Sequence, residues 1–151
     1  MSILYCHIPH FAAALARRDR PGVLVLLGPE ERVFDAVPEA AACGVLPGMT
    51  PHMAQIRCPE AELIEADLPA CREAFETLLG VLERLSLVVE PHGWGAAYVD
   101  LGDLARNDGD AVALCRESGR AVRRLLGASL QPALGLDRSK FTAQAAARST
   151  H

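Results

Sequence analysis

Apolar residues fall into short blocks in the first part of the chain and into helical stripes further on. Ile3–Ile8 is almost continuously apolar, the pattern of a strand covered on both faces. Pro9 stops it and starts a helix over Phe11–Arg18. Beyond the breaker Arg20-Pro21-Gly22, the runs Val23–Leu27 and Arg32–Val37 flank Gly28-Pro29-Glu30-Glu31 and predict a hairpin. Pro38 opens a short helix, Glu39–Cys43, which Gly44 ends. Thr50 caps, and Pro51 begins, a second one over Pro51–Arg57. Glu62–Glu65 reads as a strand.

From Leu68 the spacing becomes helical, with Leu68, Cys71, Phe75, Leu78, Leu79, Leu82 and Leu85 on one stripe. A strand through Leu87–Glu90 follows. Pro91-His92-Gly93 then leads into Gly93–Leu101, a buried strand of small residues followed by aromatic and β-branched ones. Asn107–Asp110 is a turn. The next helix carries Ala111, Leu114, Cys115, Val122, Leu125 and Leu126 on its inner side and Arg116, Arg120, Arg123 and Arg124 on the other, and Gly127 closes it. Ser129–Leu136 is the last strand, and Asp137 or Ser139 starts an alanine-rich terminal helix. The order is that of an α+β fold: a ferredoxin-like split βαβ over residues 1–19 and 67–151, with a small α/β subdomain inserted over residues 20–66.

Composition narrows the classes. With 151 residues, half of them hydrophobic, the chain can bury a full core without staples. A net charge of −4 argues against a strongly basic nucleic-acid binder. The five cysteines, Cys6, Cys43, Cys58, Cys71 and Cys115, have no paired spacing and read as scattered buried thiols in a reducing compartment. No apolar run approaches the roughly 18–20 residues of a membrane span, and no export signal is visible, so a cytoplasmic protein is expected.

Candidate chemistry is sparse. Cys6, His7 and His10, with His92, could supply metal ligands, but residues 6 and 7 of a strand point to opposite faces. The arginine stripe reads as a solvated helix face. Arg138, Ser139 and Lys140 open the last helix, where backbone N–H groups and two cations could meet a phosphate, or where an ordinary helix simply starts. Trp94, Tyr98 and Phe75 read as core, and Met49 and Met53 as packing of the inserted subdomain.

Tyr5-Cys6-His7-Ile8-Pro9-His10-Phe11, Gly93–Asp100, and Gly135-Leu136 with Ser139-Lys140 and Ala143 stand in the order and spacing of motifs in the Y-family (UmuC/DinB-like) translesion DNA polymerases, which the chain resembles over nearly its whole length. Arg20-Pro21, Val23–Leu27, Glu39–Val45, Gly48-Met49, Ala54 and Cys58-Pro59 follow the same family's fingers. The resemblance implies a polymerase palm with inserted fingers; the residues do not reach a thumb, a little finger or a clamp-binding tail. It also locates departures. His7 and Pro9 stand at the acidic positions of the first palm strand, and Gly95 and Ala96 replace an Asp-Glu pair. Ala12 stands at the sugar-screening aromatic position, Pro38 and Ala41 at the triphosphate-holding Tyr and Arg, and Gln144 at the second lysine of the late motif.

Phosphoryl transfer rests on metal ions held by carboxylates, so neither a catalytic metal nor a nucleotide cofactor is expected. The combination resembles the ImuB-type mutagenesis accessory proteins. It implies a non-catalytic scaffold whose partners are an error-prone polymerase, a RecA-like protein and a sliding clamp, with weak DNA contact and no membrane. The alternatives are a metal-dependent enzyme of altered chemistry using His7 and His10, and a DNA-binding module.

Overall fold

A computed structural model of the chain describes residues 3–86, 88–102, 108–127, 130–137 and 140–149. They fall into two units, Met1–Pro9 with Arg72–His151, and His10–Cys71.

The first unit is built on a four-stranded sheet in the order β5-β6-β1-β7. β1 (Ile3–His7) pairs antiparallel with both β6 (Ala96–Asp100) and β7 (Ala133–Asp137), and β5 (Val89–Pro91) pairs antiparallel with β6. β1 and β5 therefore run the same way with β6 between them, which is the expected split βαβ. Strand alternation sends Leu4 and Cys6, both fully buried, to one face and Tyr5 to the other.

Each face has its helix. On the Tyr5 face, Ala143 and Ala147 of α6 (Lys140–Ser149) are buried with Tyr5, Ala96, Tyr98 and Ala133. Gly135 allows this approach, because a Cβ there would lie 1.9 Å from the Ala143 carbonyl oxygen. On the Cys6 face, α5 (Asp108–Leu126) passes Gly119 over Leu134. β1 is covered on both sides, as its apolar run predicts.

In the second unit, β2 (Leu24–Leu27) lies between β3 (Val33–Ala36), antiparallel to it, and β4 (Glu62–Glu65), parallel to it. Around this sheet the chain forms α1 (Phe11–Asp19), α2 (Pro38–Ala42) and α3 (Pro51–Arg57). The predicted hairpin is β2–β3, and Thr50 caps α3 by accepting from Met53 N at 3.2 Å. α4 (Leu68–Glu83) begins here and continues into the first unit.

The compact units divide at residues 9/10 and 71/72. Ala12, Ala13 and Cys71 are buried in the same cluster as Leu24, Val25, Leu26 and Val33. Asp35 of β3 also ties α1 to this sheet by accepting from Ala13 N at 2.9 Å. The strand expected from Gly93 begins at Ala96, since Gly93 and Gly95 take φ of 77° and 74° in a turn. Trp94, expected in the core, sits on that turn 39% exposed, with its ring 5.9 Å from Phe75. Leu125 and Met53, also expected to pack, are exposed.

Candidate functional site

β1 ends and β6 begins at the same edge of the sheet, and this brings His7, Pro9, Gly95 and Ala96 together. His7 pairs in register with Ala96, and Ile8 N donates to the Gly95 carbonyl at 2.9 Å. Pro9 follows with no N–H to offer. These four positions, spread over some ninety residues of sequence, occupy one small region of the first unit.

The side chains there are rings and methyls. Tyr5 stacks on His7 with centroids 6.0 Å apart, and lies 4.8 Å from Tyr98, its register partner on β6. The His92 ring stands 5.2 Å from Tyr98 and 6.2 Å from Tyr5. Gln144 of α6 accepts a hydrogen bond from the Tyr98 hydroxyl at 3.3 Å. Burial pushes the Tyr5 phenol up, and its hydrogen bond with Gln144 opposes that only in part. Where the resemblance leads one to look for a lysine, an amide thus links two tyrosines. Ala96 is only 3% exposed, against this ring cluster.

Of the other proposed ligands, Cys6 points to the opposite face, where it is fully buried; desolvation, with Cys115 nearby, pushes its thiol up to about 12. His10 belongs to the other unit, where its Nδ1 lies 3.3 Å from Asp35 Oδ1. Among the described residues, Cys6, His7, His10 and His92 form no group that could hold a metal ion. Asp100 is turned to local use, its Oδ1 accepting from Gly102 N at 2.9 Å.

In the second unit, Ala12 is buried, Pro38 is the exposed first residue of α2, and Ala41 is half-buried. None carries a polar side chain. Arg116, Arg120, Arg123 and Arg124 are all exposed on α5. Arg138 and Ser139 lie outside the described residues; Lys140 is described only as the first residue of α6.

One association escaped the sequence reading. Cys43, Cys58 and Glu60 place their Sγ and carboxylate oxygen atoms within 4.8 Å of one another, the only such trio of His, Cys, Asp or Glu among the described residues. Fourteen residues separate Cys43 from Cys58 and nothing in that spacing announces a pair, because the contact depends on how two short helices end. The thiols are thus neither all scattered nor all buried, since Cys43 is exposed.

A split βαβ sheet carrying a contiguous α/β insertion is the architecture of polymerase palms, and comparison bears this out. DinB from Sulfolobus solfataricus superposes with a TM-score of 0.89 over 99% of this chain and 46% of its own, at 19% identity. A Dbh ternary complex superposes with a TM-score of 0.89 over 100% of this chain and 46% of its own, at 18% identity. By sequence, the DNA polymerases IV of Alkalilimnicola ehrlichii and Staphylococcus haemolyticus are each 28% identical over 95% of this chain. The chain spans 42% of the length of these curated relatives. The pattern of the impB/mucB/samB family matches residues 6–148, and the chain belongs to that family.

The divalent cations of phosphoryl transfer need oxygen ligands, chiefly carboxylates. His7, Pro9, Gly95 and Ala96 offer one imidazole and no carboxylate, and buried Ala96 faces rings. The residues present do not fit the metal pair.

Proposed function

We propose that this chain is a Y-family-polymerase-like element of DNA damage tolerance, in translesion synthesis and induced mutagenesis, that acts as an accessory or scaffold and forms no phosphodiester bonds itself. The observation that carries this reading is the filling of the cation-binding edge by His7, Gly95 and Ala96 beneath a Tyr5–His92–Tyr98 cluster. Catalysis by positioned metals is worth many orders of magnitude in rate, and no residue at these positions replaces it. The loss of polar groups at Ala12, Pro38 and Ala41 points the same way, because a triphosphate needs cationic or N–H donors. Residues 1–19 with 67–151 would then be the palm and residues 20–66 the fingers. The partners are a separate error-prone polymerase and a RecA-like protein, with DNA touched weakly through Arg138, Ser139 and Lys140.

Primer extension with template-primer, dNTPs and magnesium or manganese should give no incorporation. Affinity capture from DNA-damaged cells should recover a repair polymerase or RecA-like protein. Metal-dependent extension that disappears in His7→Ala would sink the scaffold and favour an enzyme of altered chemistry.

A further inference from the structure

We propose that Cys43, Cys58 and Glu60 form a binding site for a thiophilic divalent cation of the zinc class, independent of the sheet edge described above. The local fold builds the trio. Cys43 follows the last residue of α2, and Gly44, at φ 97°, turns the chain away. Cys58 likewise ends α3, its N–H donating to the Ala54 carbonyl at 2.9 Å. A turn closed by Ala61 N donating to the Cys58 carbonyl at 3.1 Å then swings Glu60 back beside the sulfur.

The dimensions suit a tetrahedral cation. Zn–S bonds of about 2.3 Å place two coordinated sulfurs roughly 3.8 Å apart. The three ligand atoms already lie within 4.8 Å of one another, so small side-chain rotations close the gap. Cys58 is fully buried while Cys43 and Glu60 are exposed, so one wall is fixed by packing and the other faces solvent. Three protein ligands with an open side leave the fourth position to water or to a partner's side chain.

Two thiolates and a carboxylate carry one negative charge more than a divalent cation neutralises. The Arg57 guanidinium is the cation carried by the same helix end as Cys58; its Nη1 lies 3.3 Å from where a Cβ on Gly44, next to Cys43, would stand. Without a cation, burial and the neighbouring Cys43 and Glu60 push the Cys58 thiol up, so the metal must displace its proton. A simple disulfide uses two of these groups and leaves Glu60 unexplained; the third oxygen ligand is what favours a metal.

The test uses the whole chain, stripped with chelator and kept reduced, and titrated with cobalt(II) followed by zinc. One equivalent of cobalt should produce a thiolate-to-cobalt charge-transfer band that zinc abolishes. Cys43→Ser, at an exposed position that leaves the core intact, should weaken uptake by about a hundredfold. Glu60→Gln should weaken it by about tenfold, with circular dichroism unchanged. Affinity should fall as pH is lowered, because two thiol protons compete with the metal. Substoichiometric uptake, uptake unaffected by Cys43→Ser, or formation only of a Cys43–Cys58 disulfide on air oxidation would each overturn the proposal. None of these outcomes bears on the primer-extension result.

Discussion

Two residues set the tolerances of the sheet edge and of the face behind it. Gly135 lets α6 lie directly on β7, and a methyl there would meet the Ala143 carbonyl oxygen at 1.9 Å and the Ala147 nitrogen at 2.4 Å. Both obstacles are backbone, so the helix itself must shift. Gly135→Ala is expected to cost about 3 kcal/mol or more, read from urea unfolding midpoints. Ala96 is the converse case. An acid there places a carboxylate against Tyr5 and Tyr98, and burying such a group is costly. Ala96→Glu should lower stability by about 2 kcal/mol or more, and combining it with His7→Asp and Gly95→Asp should not yield primer extension. A stable triple variant that extends primers would show that only the ligands, and not the packing around them, had been lost.

At the scale of elements, helix ends decide much of what the sequence did and did not disclose. The order of strands and helices was legible because Gly and Pro punctuate it: Pro9, Pro38 with Gly44, and Thr50-Pro51 each fall where the chain changes element. Gly93 and Gly95 were misread for the same underlying reason. Small residues before an apolar run suit a strand as well as a turn, and only their positive φ distinguishes the two. The departures at His7 and Gly95 could be read from motif spacing, whereas the ring cluster that fills the edge depends on cross-strand register. α1 lies in the unit of β2 and β3, and its cap comes from a residue distant in sequence. His10 at its N-cap makes no side-chain cap bond, and Asp35 reaches across from β3 instead. Asp35→Ala should therefore destabilise by about 1–2 kcal/mol, measured by thermal or urea unfolding. Thr50→Ala should cost about 1 kcal/mol through α3.

For the molecule as a whole, buried thiols predict a particular pH response. Cys6 is protonated in the folded state with its pKa pushed from 9.0 to about 12 by burial, whereas an unfolded chain releases that proton near the ordinary value. A raised folded pKa leaves stability unchanged below about pH 9 and erodes it above, through the window up to about 12. The slope from this group approaches about 1.4 kcal/mol per pH unit. Urea midpoints should be flat between pH 7 and 8 and fall by pH 10, and Cys6→Ala should flatten that fall. An alkylating reagent at neutral pH should label Cys43 readily and leave Cys6 untouched until the chain unfolds.

The position of β1 carries a consequence for synthesis. It lies inside its sheet, yet its neighbours β6 and β7 are made much later than β1 itself. The segment His10–Cys71, which holds its own three-stranded sheet, can close while β1 still waits, an apolar ribbon with two open edges. A nascent chain halted before Ala133 should be a chaperone client, and one released there should aggregate.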